Sequence, residues 1–334
     1  MTALAGPRAA GPLRFGVIGC ADIAWRRMLP AMAAASRIRV TAIGSRDVTR
    51  ATRFTQRYGG VPVAGYQAVL ERDDVDAVYI PLPSMLHAEW IERALLAHKH
   101  VLVEKPLTAQ PARTDELLDL ARSRELTLVE NSSFLLHSQH RLVRRMLDEQ
   151  AIGTLREFSC AFTIPPRPDT DNRYQLAVGG GALVDLGGYP VRAALHFLGP
   201  ELEVCGAVLR QERRRGVIIS GAALMTTPEG VTARLTFGME HSYRSGYELA
   251  GSLGRLSVDR VFTPPPTYQP VIRIERQDHR EEFLLPGDDQ TDNMLTAFAS
   301  AVLDGTDLTD AAEGSRRQAE LVQQLQAQAR LVTF

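Results

Sequence analysis

Near its start the chain contains the stretch Gly16-Val17-Ile18-Gly19-Cys20-Ala21-Asp22-Ile23-Ala24. The apolar residues before Gly19 predict a buried strand, and the residues after it predict the start of a helix. Small residues at such a turn let the backbone approach a pyrophosphate, which then lies at the positive end of the helix. The stretch is a variant of G-x-G-x-x-G in which Ala21 and Ala24 replace two glycines. It indicates a dinucleotide site at Gly19, Cys20, Ala21, Asp22 and Ile23, although a tight strand–helix turn without a ligand uses similar residues.

Around this stretch, short apolar runs alternate with segments of helical period as far as Asn131. The runs that predict buried strands are Phe15–Ile18, Val40–Ile43, Ala77–Ile80, Val101–Val103 and Thr127–Val129. Glu89–Ala97 and Thr114–Ser123 between them predict helices. Strand–helix alternation predicts a doubly wound parallel sheet with helices on both faces, a Rossmann domain over residues 13–131. Residues 1–12, rich in Ala, Gly and Pro, predict a disordered tail.

After Asn131 the pattern changes to successive strand-like runs. Alternation in stretches such as Val231–Phe237 indicates strands with one buried face, as in an antiparallel sheet. The predicted strands are Arg156–Phe162, Leu202–Leu209, Val217–Met225, Val231–Phe237, Arg255–Val258 and Val271–Arg276. Helices are predicted at about His140–Glu149, Asn293–Leu303 and Ser315–Ala327. Residues 132–334 therefore form a second α/β domain in this interpretation.

Composition narrows the function classes. The chain has 334 residues, with 38 Lys and Arg against 39 Asp and Glu, and a net charge of −1. This balance, without a basic stripe, argues against nucleic-acid binding. No apolar run reaches the roughly 20 residues of a membrane-spanning helix. Cys20, Cys160 and Cys205 are widely spaced, which favours a reducing, cytoplasmic location over a disulfide framework or a zinc site.

The end of the second strand predicts which dinucleotide binds. NAD-binding domains place Asp or Glu there to accept hydrogen bonds from the ribose hydroxyls. This chain has Ser45 and Arg46, followed by Arg50 one turn later. Guanidinium and hydroxyl groups bind a 2′-phosphate that a carboxylate would repel, so the pattern favours NADP(H). The alternative is that Arg46 is a solvated surface residue.

The next two strands bring candidate groups to the same edge of the sheet. The third strand leads into Pro81-Leu82-Pro83-Ser84 and then His87, and the fourth ends in Glu104-Lys105-Pro106. Because strand C-termini face the ligand crevice of a doubly wound sheet, Leu82, Pro83, Glu104 and Lys105 are predicted beside the nicotinamide. His87 is predicted to pack near the cofactor. Only two of the 38 basic side chains are lysines, Lys99 and Lys105.

Far downstream lies Gly179-Gly180-Gly181-Ala182-Leu183-Val184-Asp185-Leu186-Gly187-Gly188-Tyr189. Together with the motifs above, it resembles the glucose–fructose oxidoreductase / inositol dehydrogenase (Gfo/Idh/MocA) family from Leu13 to the C-terminus. The resemblance implies a Rossmann domain, a second domain with a large, mostly antiparallel open sheet, and homo-oligomers (dimers or tetramers). It also implies that Lys105 is catalytic, that Asp185 lies near the reacting carbon and that Arg173 lies near the cofactor. The alternatives are a helix-start cap for Asp185 and a surface ion pair for Arg173.

Tyr189 stands where many members of that family have His. The start Cys20–Arg27 and the stretches Phe162–Pro166, Phe237–His241 and Arg260–Pro266 are similar to the NADPH-dependent 3-ketoreductases of dTDP-deoxyhexose biosynthesis. That branch implies a dTDP-linked keto-deoxyhexose substrate. Tyr243, Arg244 and Tyr247 are then candidates to clamp the thymidine diphosphate.

Ketone reduction needs a proton for the developing alkoxide. A Tyr hydroxyl can donate it if a nearby cation lowers its pKa, and Lys105 is that candidate cation. Lys105 itself is the alternative donor. Two other functions stay open: an NADP-dependent dehydrogenase of a free sugar, cyclitol or trans-dihydrodiol, and a non-catalytic NADP-binding regulator.

Overall fold

The structure is a computed structural model that describes residues 11–334. The expected tail lies outside the described residues except for Gly11 and Pro12. Six strands form the first sheet: β1 (Leu13–Ile18), β2 (Ile38–Ser45), β3 (Val61–Ala64), β4 (Ala77–Ile80), β5 (His100–Val103) and β6 (Leu128–Glu130). All neighbours are parallel and the order is β3-β2-β1-β4-β5-β6, which confirms the doubly wound fold.

The helices of this unit connect its strands. They are α1 (Leu29–Ala34), α2 (Val48–Tyr58), α3 (Gln67–Leu70), α4 (His87–Leu96) and α5 (Pro111–Ser123). A π-helical turn over Ala24–Met28 precedes α1, so helical backbone begins at Asp22, directly after the small-residue turn. Asp47 caps α2 by accepting from the Thr49 backbone N–H at 2.9 Å.

The edge strand of this sheet, β3, was not predicted from the sequence. Three of its four residues are exposed, and it contains Pro62, which cannot donate to a ladder. An exposed edge strand does not need the apolar run that marks the buried strands β4 and β5. Hydrophobic pattern therefore does not predict the position of β3.

The second sheet has nine strands. They are β7 (Leu155–Thr163), β8 (Glu203–Gln211), β9 (Ile218–Thr226), β10 (Thr232–Gly238), β11 (Arg244–Gly251), β12 (Arg255–Asp259), β13 (Val271–Glu275), β14 (Arg280–Leu284) and β15 (Ala329–Thr333). The order is β14-β13-β12-β11-β7-β10-β9-β8-β15. The pairs β7–β10 and β8–β15 are parallel and the others antiparallel, which confirms a mostly antiparallel sheet.

Helices cover one face of this sheet and leave the other open. The later helices are α6 (Ser138–Asp148), α7 (Leu176–Gly179), α8 (Gly188–Leu198), α9 (Gln290–Asp304) and α10 (Thr309–Gln328), of which α9 packs on the first sheet. Phe158 and Phe237 are buried on the covered side, whereas Val208 and Leu224 are 44% and 45% exposed on the other. Side chains along the strands therefore alternate between a buried face and an exposed face, as an open sheet requires.

One late helix belongs to the core of the first sheet. Leu295 and Phe298 of α9 are fully buried, and the ring of Phe298 lies 5.5 Å from that of Phe15 in β1. The chain thus returns to the first unit after it has built the second. Within residues 11–334, none of the helices combines the length and apolar character needed to cross a membrane.

Candidate active site

A cleft runs between the C-terminal edge of the parallel sheet and the second unit. Its main cavity, about 680 Å³, is lined by Ala21–Ile23, Leu82, Pro83, Glu104, Lys105, Arg173, Asp185 and Tyr189, among others. An adjoining cavity of about 380 Å³ contains Gly19, Cys20, Ser45, Arg46 and Arg50. The two cavities share Ala21, Pro81, Leu82, Pro83 and Asn172. The predicted catalytic and cofactor-binding residues therefore all line one continuous cleft, except His87.

The smaller cavity has the properties of a phosphate site. Gly19 has a φ of +117°, and a Cβ there would lie 2.8 Å from Cδ2 of Leu82, so only glycine fits. Arg50 donates to the Cys20 carbonyl at 2.8 Å and so holds this turn against α2. Arg46 is exposed and forms no ion pair within the described residues. A helix beginning at Asp22, a close backbone approach and an unpaired guanidinium fit the phosphates of NADP.

Opposite the phosphate site, a chain of charged groups crosses between the two units. Lys105 Nζ donates to Asp185 Oδ1 at 2.8 Å and to the Asp185 carbonyl at 2.9 Å. Arg173 Nε donates to Asp185 Oδ2 at 2.5 Å, and its Nη1 contacts Asp171. Asp185 thus uses both carboxylate oxygens on cations, and Lys105 has one N–H left for a ligand.

These ion pairs keep Lys105, Asp185 and Arg173 ionised. Burial alone would lower the pKa of Lys105, but the Asp185 carboxylate raises it above its ordinary value. Burial alone would raise the pKa of Asp185, but Lys105 and Arg173 hold it well below its usual range. Lys105 is therefore a fixed cation at neutral pH.

Tyr189 lies directly beside this cation. Lys105 Nζ is 4.9 Å from the centroid of the Tyr189 ring, which packs against Phe162 at 4.7 Å and Phe262 at 5.1 Å. Within residues 11–334, the Tyr189 hydroxyl has no hydrogen-bond partner. Burial raises its pKa, and Lys105 offsets only part of that rise. The expectation that Lys105 brings this pKa below its ordinary value is therefore wrong for the protein alone.

Glu104 is oriented from behind the cleft. Its Oε1 accepts hydrogen bonds from the Tyr79 hydroxyl and from Asn131 Nδ2, both at 2.7 Å. Burial raises the pKa of Tyr79 well above its usual value, so this phenol stays protonated and donates. Glu104 lines the cleft as predicted, with its orientation set by the ends of β4 and β6.

His87 does not line the cleft, contrary to its assignment as a cofactor-binding residue. It is fully buried, with Nδ1 2.7 Å from the Pro106 carbonyl and Nε2 2.8 Å from the Leu82 carbonyl. Both ring nitrogens are therefore engaged by backbone. His87 connects the Leu82 loop to the loop of Lys105, and its effect on a cofactor is indirect.

Two of the three candidates for the diphosphate clamp point elsewhere. Tyr247 is buried, with its hydroxyl 3.0 Å from His140 Nδ1, and Arg244 lines the open face of the second sheet. Only Tyr243 lines the cleft. A strand that begins at residue 244 alternates its side chains between faces, and the sequence analysis had not recognised β11.

Asn172, which was not predicted from the sequence, lines both cavities. Asn172 begins the short helical turn Asn172–Tyr174. Its neighbour Arg173, which was predicted near the cofactor, was the feature of the sequence that could have pointed to it. The glycine run downstream makes room for this turn. A Cβ on Gly179 would lie 2.3 Å from the Asn172 carbonyl oxygen, which explains why glycine is required there.

Family models match both units of the chain. The model for the oxidoreductase family with an NAD-binding Rossmann fold (GFO_IDH_MocA) matches residues 13–132, and the GFO/IDH/MocA C-terminal domain matches residues 140–257. The chain belongs to the Gfo/Idh/MocA oxidoreductase family. The resemblance inferred from the sequence motifs is confirmed.

Several relatives match almost the whole of this Gfo/Idh/MocA chain. The dTDP-3,4-didehydro-2,6-dideoxy-alpha-D-glucose 3-reductase of Actinomadura kijaniata is 60% identical, over 98% of this chain and 99% of its own length. The enzyme of the same name from Streptomyces antibioticus is 54% identical, over 96% and 98%. The crystal structure of the A. kijaniata 3-ketoreductase KijD10, in complex with NADP and TDP-benzene, matches with a TM-score of 0.96 at 60% identity, over 97% and 100% of the two chains.

Proposed function

We propose that this protein is an NADPH-dependent reductase of the C-3 ketone of a dTDP-linked keto-deoxyhexose, in the biosynthesis of a deoxysugar for a natural product. One observation carries the proposal. Lys105 is held as a cation by Asp185 at the inner end of a dinucleotide cleft, beside a tyrosine hydroxyl that has no partner within the described residues. The 60% identity to a reductase of that name supports the choice of substrate class.

NADPH fits the cleft because the cleft carries cationic side chains and lets a ligand approach the backbone closely. Ser45, Arg46 and Arg50 would bind the 2′-phosphate, and the turn from Gly19 to Ile23 would bind the pyrophosphate. When bound, the cofactor supplies the hydride to the ketone. Leu82 and Pro83 would hold its reactive end near Lys105.

The chain's own residues handle the proton and the developing charge. Lys105 uses its remaining N–H to bind the carbonyl oxygen and stabilises the alkoxide as a fixed cation. Tyr189 donates the proton from its unpartnered hydroxyl. The main argument against Lys105 as the donor is that it already gives two of its three N–H groups to Asp185.

Turnover of a panel of dTDP-keto-deoxyhexoses, followed by loss of NADPH absorbance, tests the reaction. We expect Tyr189→Phe to lower kcat by about 100-fold or more, since general acid catalysis contributes roughly 10²–10⁴. The Kd for NADPH should stay unchanged. If Tyr189→Phe retains most turnover while Lys105→Ala abolishes it, the lysine is the donor.

The same assay addresses the competing functions. Oxidation of a free sugar, cyclitol or trans-dihydrodiol with NADP⁺, without turnover of any nucleotide-linked ketone, would favour the dehydrogenase. Tight NADPH binding with no turnover in either direction would favour a regulator. Retention of Lys105, Asp185 and Tyr189 in one contact network argues against that last outcome.

We also propose that the protein is a cytoplasmic homo-oligomer, a dimer or a tetramer, that associates through the open face of the nine-stranded sheet. Val208 and Leu224 are exposed there, beside a shallow hollow lined by Ala161, Ala207 and Ala222. The three cysteines are unpaired, which fits a reducing compartment. Sedimentation of Leu224→Asp tests the interface, and we expect a shift toward monomer.

A further inference from the structure

An exposed cation, Arg260, lies within cation–π distance of two aromatic rings, one of which lines the cleft. The guanidinium carbon of Arg260 is 5.7 Å from the ring centroid of Tyr243 and 5.7 Å from that of Tyr268. Tyr243 lines the same cavity as Lys105 and Tyr189. Arg260 is exposed, and none of the described ion pairs includes it. The mechanism above makes no use of this group.

The backbone holds Arg260 in an unusual conformation. Its φ is +52°, in the left-handed region that non-glycine residues rarely adopt. The next two residues, Val261 and Phe262, are fully buried, and the Phe262 N–H donates to Ser245 Oγ at 3.2 Å. Such a conformation persists only where the surroundings determine it. The position of Arg260 is therefore built into the fold.

The same segment reaches the catalytic centre. The Phe262 ring packs against Tyr189 at 5.1 Å, two residues from Arg260. His140 Nε2 lies 3.1 Å from the Val261 carbonyl and anchors the segment from behind. Arg260 is thus attached by a short, buried connection to the ring that faces the reacting carbonyl.

Contacts with two rings hold the guanidinium beside the cleft, while the side chain stays exposed to solvent. A planar, oriented arginine matches two phosphate oxygens at once, which a flexible lysine does not. An unpaired cation at the entrance also attracts a doubly or triply charged ligand. A nucleoside diphosphate has the required charge and oxygen geometry.

We propose that Arg260, held beside the rings of Tyr243 and Tyr268, binds the diphosphate of the nucleotide-linked substrate. This inference rests on the proposed function and identifies the part of the chain that selects nucleotide-linked over free sugars. Of the three residues that the sequence suggested as a diphosphate clamp, only Tyr243 belongs to the proposed subsite. Arg260 and Tyr268 take the places of Arg244 and Tyr247.

Calorimetric titration of the NADP⁺-saturated protein with thymidine diphosphate, and with thymidine, tests this subsite. Arg260→Asn removes the guanidinium and keeps a residue that tolerates positive φ. We expect thymidine diphosphate to bind it about tenfold more weakly or worse, because a charge-assisted hydrogen bond is lost. The affinity for thymidine and for NADPH should stay within about twofold of wild type.

Arg244→Gln is the matched control, because it removes a nearby cation from the other face of the sheet. Its affinity for thymidine diphosphate should equal that of wild type. An equal loss of affinity for thymidine diphosphate in both variants would mean that general positive charge, and not a specific subsite, attracts the ligand, and it would overturn the proposal. Unchanged affinity in Arg260→Asn would overturn it as well. Failure of the wild-type protein to bind thymidine diphosphate would refute the nucleotide-linked substrate together with the subsite.

Discussion

Asp185 is the group whose removal should reveal most about the site. Its carboxylate lies between Lys105 at 2.8 Å and Arg173 at 2.5 Å, with only 12% of its side chain exposed. In Asp185→Asn two half-buried cations lose their counter-charge. Breaking a buried ion pair from one side costs about 3–5 kcal/mol. We expect the free energy of unfolding to fall by about 3 kcal/mol at pH 7, since Arg173 retains Asp171.

The pH dependence of this loss follows from the direction of two pKa shifts. The folded pKa of Asp185 is lowered, so its contribution to stability is present above its unfolded pKa of about 3.9 and is lost as the pH falls further. The folded pKa of Lys105 is raised, so its contribution is present below about 10.4 and is lost as the pH rises. The difference between wild type and variant should be constant from about pH 5 to 9 and shrink below about pH 4.

Activity supplies a second readout. Without the carboxylate, burial becomes the dominant influence on Lys105 and lowers its pKa. The alkaline limb of the kcat/KM profile should therefore move to lower pH in the variant. Urea unfolding at pH 7 and pH 3.5, with a kinetic profile up to pH 10, measures both effects.

Asp171→Asn is the control for this prediction, because Asp171 contacts Arg173 but forms no ion pair with Lys105. It should leave the alkaline limb unchanged. A loss of stability below about 1 kcal/mol in Asp185→Asn, or an unaltered alkaline limb, would refute the assignment of Lys105 as a cation maintained by Asp185.

Three further predictions concern the cofactor, the glycine run and the buried histidines. Arg46→Glu should weaken NADPH binding about tenfold or more, because it places a negative charge beside the 2′-phosphate, and should change NADH binding little. An equal change in the Kd of both cofactors on titration would contradict this. Gly179→Ala should raise the KM for NADPH by displacing Asn172 and Arg173, since the new Cβ would lie 2.3 Å from a carbonyl oxygen; unchanged KM would argue against that displacement. Burial lowers the folded pKa of His140 to about 3, so wild type should lose about 1.4 kcal/mol of stability between pH 7.5 and 5.5 through this residue. His140→Gln should lose correspondingly less over that interval in urea unfolding, and an identical slope would exclude His140 as the source.

Local pattern was sufficient for much of the first unit. Buried parallel strands are continuous apolar runs, so β1, β2, β4 and β5 were predictable, whereas the exposed β3 was not. The residues of the phosphate site follow one another closely along the chain, at a turn whose geometry requires Gly19. Lys105 was predictable because it lies two residues after the end of β5, and the ends of parallel strands converge on one crevice.

The catalytic groups of the second unit came from resemblance rather than from spacing. Asp185 is 80 residues from Lys105 in the chain, and no periodicity relates the two. The resemblance predicted that they belong to one site, and the fold shows how they meet. It also assigned the diphosphate clamp to three neighbouring residues, two of which turned out to face away from the cleft.

The sequence by itself determined the doubly wound sheet, the phosphate turn and the cationic end of β2, because each depends on residues close together in the chain. Only the tertiary structure decided that His87 faces inward, that Arg260 lies beside two tyrosine rings, and that burial keeps the pKa of Tyr189 high beside Lys105. Those properties depend on desolvation and on charges brought in from several elements at once. Such surroundings exist only after the two units have packed against each other.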